Sequence, residues 1–137
     1  MSATLHQDLL ARLRATLTPI YDGEAEAPST LTEAEVARGA RYAVLHMDVG
    51  TISSDDVANT QRLLRAFPVV TCVGTTPQQA LWVASRVRDA LAGWTPTVDG
   101  WAFGPLGQTT AGRAERDDDV RPPVYSIPVT FVAYGSR

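Results

Sequence analysis

The sequence predicts an α+β fold: a small mixed or antiparallel β-sheet with two main helices packed on one face. Two segments, residues 5–17 and 80–91, carry apolar residues at the three-to-four spacing of a helix with one buried face. Several others alternate apolar with polar residues, as half-buried strands do. The order is helix, two strands, helix, then two or three strands. That order lets both helices share one face of a sheet rather than alternate across a parallel one. With 137 residues the chain reads as one domain, spanning 1–137. A domain of this size buries roughly two-thirds of the surface that its unfolded chain exposes.

Taken in order, Leu5, Leu9, Leu10, Leu13 and Leu17 form the stripe of the first helix, with Ser2 or Thr4 as its cap and Pro19 as its stop. Arg12 and Arg14 lie towards its C-terminal half, where the macrodipole favours cations. Residues 22–40 are acidic, small and weakly patterned; Thr32 with Glu35 forms a capping box for one helical turn, or the segment is a surface loop. In RYAVLHMDV, Ala43, Leu45, Met47 and Val49 point one way, and Tyr42, Val44, His46 and Asp48 the other, which predicts a strand. GTISSDDVANT reads as a turn-rich connection. In LLRAFPVVTCV, Phe67, Val69, Thr71 and Val73 share a face, and Pro68 points to an edge or a bulge.

VGTTPQQA, residues 73–80, joins this strand to the second helix, over about 77–92. A glycine between a strand and a helix start is also how a phosphate loop is built, but GxGxxG and Gly-Lys-Ser/Thr are both missing. Thr76 as N-cap, Pro77 at the first helical position and Gln79 three residues after the cap make a capping box instead. Ala80, Val83, Ala84, Val87 and Leu91 form the buried stripe, and Gly93 ends the helix. Beyond it, TPTVDGWAF reads as a strand with a turn or bulge at Asp99-Gly100, and LGQTTAGRA as a weaker one. ERDDDVRPP is a charged hairpin tip, and VYSIPVTFVAY is the closing strand, with Tyr125, Ile127, Val129, Phe131 and Ala133 on one side.

Composition narrows the function. The hydrophobic share of 45% and charged share of 20% are ordinary for a globular domain. No run of about 18 apolar residues predicts a membrane span, and MSATLHQDLLARLRATL lacks the core and cleavage site of a signal peptide. A net charge of −3 argues against a general nucleic-acid binder. All twelve basic residues are arginine. A GC-rich genome accounts for that, and so do interfaces built on guanidinium forks. Cys72 is the one cysteine, which forbids an internal disulfide and fits a cytosolic birthplace. Its apolar setting predicts an inert buried thiol.

Sites for chemistry are scarce. Asp117, Asp118 and Asp119 are consecutive, which is poor spacing for wrapping a cation. With Arg113, Arg116 and Arg121 around them they resemble a mixed-sign docking loop. Neither Cys72 with His6 or His46, nor Ser53 and Ser54 beside Asp55, sits in a nucleophile elbow. Two histidines, one of them in the first helix, make a zinc site improbable. The residues thus predict no cofactor, no metal and no catalytic set. Trp94 and Trp101 are expected to flank a strand near the surface, with Trp82 beside the apolar stripe of the second helix. Aromatics with arginines are what interface centres are enriched in.

Five segments, YAVLHMDVG, VVTCVGTTPQQALWVASRVRDALAG, PTVDGWAFGPLG, RAERDDDV and YSIPVTFVAYG, together resemble the tail-terminator (tail-completion) proteins of long-tailed bacteriophages. The resemblance runs from Tyr42 nearly to the end of the chain and, with the first helix, takes in most of it. It implies a compact α+β domain that assembles as a hexameric ring on the head-proximal end of the tail tube, in a virion made in the host's cytoplasm. Such a ring stops polymerisation of the major tail protein and presents a surface to the head's connector or stopper. Genome DNA passes through its lumen without sequence-specific binding. No enzyme activity, cofactor or membrane is implied. Another neck component, such as a head-closure or stopper protein, and a small ligand-binding domain or enzyme are the alternatives. The longer acidic segment 22–40 and Pro122-Pro123 depart from the pattern. Interface residues are expected at Arg113, Arg116, Asp117, Asp118, Asp119, Arg121, Trp94 and Trp101.

Overall fold

A computed structural model describes residues 2–17, 19–23, 27–28, 30–37, 39–48, 50–53, 62–118, 120 and 122–137. Its elements are α1 (Ser2–Thr16), β1 (Ile20–Asp22), α2 (Glu33–Ala37), β2 (Arg41–His46), β3 (Thr51–Ser53), β4 (Leu63–Ala66), β5 (Val69–Gly74), α3 (Pro77–Leu91), β6 (Ala102–Phe103), β7 (Gly107–Ala111), β8 (Glu115–Asp117) and β9 (Val124–Ser136). The α+β expectation is borne out. The sheet is mixed, because β1 runs parallel to β2 while every other named pair is antiparallel.

The long strand β9 is the spine. Along one of its edges β4 and β5 follow each other, pairing with residues 133–136 and 125–130. Along its other edge lie β6, β7 and β8. Outside β4 and β5 run β3 and β2 in the same manner, so two long antiparallel ribbons stand side by side. Pro68 marks the break between β4 and β5, as its lack of an N–H requires. Its carbonyl still accepts from the Phe131 N–H at 2.9 Å. The break was legible, but the alternative of an edge was not met, since both ribbon neighbours flank this run.

Pro128 stands in mid-strand for a related reason. In an antiparallel ladder one residue's N–H and C=O point to the same side. The Pro128 carbonyl accepts from Gly112 at 2.9 Å. The missing N–H therefore faces the outer ribbon strand where its pairing already lapses, between Ala111 and Glu115.

Both main helices pack on one face, as expected. Leu5, Leu9 and Leu13 of α1 and Ala80, Val83, Val87 and Leu91 of α3 meet Ala43, Leu45, Val70, Cys72, Ile127, Val129, Phe131 and Ala133 of the sheet. A smaller cluster on the opposite face joins Leu31, Tyr42, Val44, Val73, Val120 and Val124. Burial pushes the Tyr42 hydroxyl up to about 12, with the charges of Asp117 and Tyr21 adding to the shift. Cys72 is fully buried, and burial pushes its thiol up to about 12 too. It is the inert core residue that its setting predicted.

Some details differ from the sequence reading. Residues 51–53, whose sequence reads as part of a turn-rich connection, form strand β3, because they continue the pairing of β2 along the next ribbon strand; residues 54–61 lie outside the described set. Of TPTVDGWAF only β6 is a strand; the turn at Asp99-Gly100 is closed by a bridge between Val98 and Trp101. The single helical turn is real: the Glu35 N–H donates to Thr32 Oγ1 at 3.2 Å, and the Thr32 N–H to Glu35 Oε1 at 3.1 Å. The caps expected at Ser2 or Thr4 fall on side chains outside the described set.

Candidate functional site

The joint at residues 73–80 is built as its residues predict. Thr76 is the N-cap of α3, its hydroxyl accepts from the Gln79 N–H, and Pro77 opens the helix. The Gln79 side chain reaches one residue further back than a standard box does: Oε1 accepts from the N–H and the hydroxyl of Thr75. Gly74 is there for space. A Cβ on it would lie 2.6 Å from the Ala80 nitrogen and 2.6 Å from the Gln79 Cβ, so the first turn of α3 rests directly on the strand end. At the other end Ala92 caps the helix, and Gly93, at φ 79°, turns its N–H to the Leu106 carbonyl at 2.8 Å.

The expected docking residues separate into two places. At the hairpin tip Arg113, Arg116 and Asp118 are exposed, and Asp117 is half-buried towards Tyr42. Arg116 Nε donates to Asp118 at 2.8 Å, an exposed pair of the kind that contributes little. Asp119 and Arg121 lie outside the described residues. The tryptophans sit at the far end of β9, beside its last residues rather than its first. That is a strand length of roughly 40 Å at about 3.3 Å per residue. One site does not hold both groups.

The expectation of a surface position fails for Trp101. It is 8% exposed, within the main core, with the Arg137 guanidinium 4.8 Å from its ring centroid. The short turn at Asp99-Gly100 folds it inward over β6. Its indole nitrogen meets no acceptor among the described residues. Trp94 is half-buried, with Arg12 over its ring at 5.7 Å.

The exposed indole is the one the sequence reading did not select, Trp82, at 41%. The Arg41 guanidinium lies 4.0 Å from its ring centroid and that of Arg86 5.7 Å. Arg86 also donates to the Thr16 carbonyl at 3.3 Å, and Arg14 to that of Ile20 at 3.2 Å. The signal was available, since Trp82 falls off the stripe of Ala80, Val83 and Val87. Its partner Arg41 comes from β2 and shows no local spacing. On the other flank of α3, Leu81 (57% exposed), Ala84, Arg88, Gln108 and Ala111 edge a shallow groove of about 180 Å³. Among the described residues no three metal-ligating side chains converge, and no helix is long and apolar enough to cross a membrane.

No protein-family model matches this chain, and no curated protein does. Among solved structures, it is similar to a chain from the virion of a native gene transfer agent particle. The TM-score is 0.71 at 21% identity, over 97% of this chain and 95% of that one. The two chains share a fold. A second solved chain is similar with a TM-score of 0.57 at 19% identity, over 98% of this chain and 92% of its own. At these identities the likeness reaches the architecture and not the individual contacts.

Proposed function

We propose that this protein is a structural component of a phage-like virion and, within it, the tail terminator. It forms a six-membered ring at the head-proximal end of the tail tube, stops tube growth and meets the head connector. The observation that carries this reading is the shared fold with a chain of a gene transfer agent virion over nearly the full length of both chains. The segments that resemble tail terminators lie on the elements that make up that fold, from β2 to β9. The ring's partners are its own copies, the major tail tube protein and the connector or stopper. DNA crosses the lumen without base-specific contacts, and the net charge of −3 suits a surface that does not hold it. A ring needs a heterologous contact, one patch on a different patch of the next copy.

Electron microscopy of particles from a phage lacking this gene tests the reading. Overlong tails without heads are expected. Tails of normal length beside leaky heads would move the protein to the neck as a closure or stopper. Intact infectious particles would overturn the virion assignment and turn attention to a ligand.

A further inference from the structure

Three arginines gather where α1 ends beside α3, with Glu35 lining the same cavity as Arg41. Arg14, Arg41 and Arg86 are all exposed there, and among the described residues none of the three forms an ion pair. Backbone carbonyls orient two of them, at Ile20 and Thr16, and Trp82 lies under the guanidinium of the third. In a chain of net charge −3 such a patch is an exception. Pre-positioned guanidinium groups around a half-exposed indole match the composition of binding hot spots. Guanidinium groups fit carboxylates in a planar, two-point manner.

We propose that this patch receives the hairpin-tip carboxylates of a second copy of the chain, making the contact that repeats around the ring; the inference rests on the ring reading above. The tip supplies the complement: Glu115, Asp117 and Asp118 are interrupted only by Arg116. Asp118 is committed only to an exposed pair with Arg116, their side chains 73% and 62% exposed, which a better partner displaces.

Register supplies the geometry. Arg41 pairs with Gly74, Gly74 with Tyr125, and Tyr125 with Arg116. Patch and tip therefore stand at the same end of the sheet. They are three strand spacings apart across it, about 14 Å at roughly 4.8 Å each before side chains are added. A sideways step brings the tip of one copy onto the patch of the next and leaves a free tip and a free patch at the two ends. Each copy uses both surfaces once, as a closing heterologous contact demands.

Cross-linking tests this directly, because Cys72 is fully buried and introduced cysteines report alone. Copies carrying R86C are mixed with copies carrying D118C, on tail tubes, and oxidised mildly. The expected result is at least about tenfold more covalent dimer than from T97C with D118C, since only neighbouring thiols gain a high effective concentration. Charge reversal gives a second reading: R41E/R86E copies fail to cap tubes, and D117R/D118R copies mixed with them restore capping. Rings formed by the R86C and D118C copies whose 86–118 cross-link is no stronger than the control would overturn the contact and leave the ring standing. Reversed copies that cap as the wild type does would overturn it too. Wild-type copies that never associate on tubes would overturn both the contact and the ring.

Discussion

Along β9, successive side chains divide between two surfaces of opposite character. Ile127, Val129, Phe131 and Ala133 turn towards α1 and α3, and all four are buried. Val124, at the start of the strand, is buried in the smaller cluster on the opposite face. Beyond it Ser126, Pro128, Thr130, Val132 and Tyr134 turn away, and none is buried; Tyr134 keeps 57% of its surface. The backbone and its ladders are shared, so the contrast isolates what the helix layer adds. Stability is concentrated on the covered face. The surfaces argued to meet partners, the hairpin tip and the arginine–tryptophan patch, lie outside that layer of contacts. Fold and assembly therefore answer to different substitutions.

The largest effect belongs to the covered face. Phe131→Ala removes the largest fully buried side chain, and a loss of about 3–5 kcal/mol is expected, from transfer and the cavity together. It would be read as a lower urea midpoint with an unchanged slope. Gly74→Ala comes next. Its Cβ would meet backbone of α3 at 2.6 Å, so strand end or helix must shift. Overpacking of this kind costs about 1–3 kcal/mol, read from the same titration. A neutral result would mean that the first turn of α3 moves off the sheet without penalty, and the tight joint at residues 73–80 would lose its explanation.

What the sequence made legible follows from how local each cause is. The stripes of α1 and α3, the Thr76 cap, Pro77 and the alternation in β2 and β9 are set by neighbours within a few residues. All of them could be read. Strand β3 could not, because Thr51, Ile52 and Ser53 pair only through their register with β4. The burial of Trp101 depends on a turn at Asp99-Gly100 that folds it onto the core. The division of the expected docking residues between two ends of β9 likewise needs the hairpin register, which no spacing announces. The patch at Trp82 joins α1, β2 and α3, and two of its three arginines reach their partners only in the folded chain. Its exposed tryptophan was readable off the helical stripe, and so was Arg86, four residues on along α3; Arg41, from β2, was not.

The smallest effect sharpens the contrast most. Tyr134 stands on β9 three residues after Phe131, and its cross-strand neighbour Arg65 is itself exposed. More than half of its surface is already in water, so Tyr134→Ser forfeits little transfer energy and opens no cavity. Substitutions at such positions stay within about 0.5 kcal/mol, and that is the change expected for the free chain in urea. A cost approaching that of Phe131→Ala would mean that the outward face of β9 is packed even before any partner arrives. The separation of fold from assembly would then fail at its simplest point. A midpoint that stays put leaves this face outside the stability of the free chain, and a side chain that does nothing for the fold is one that a partner can use.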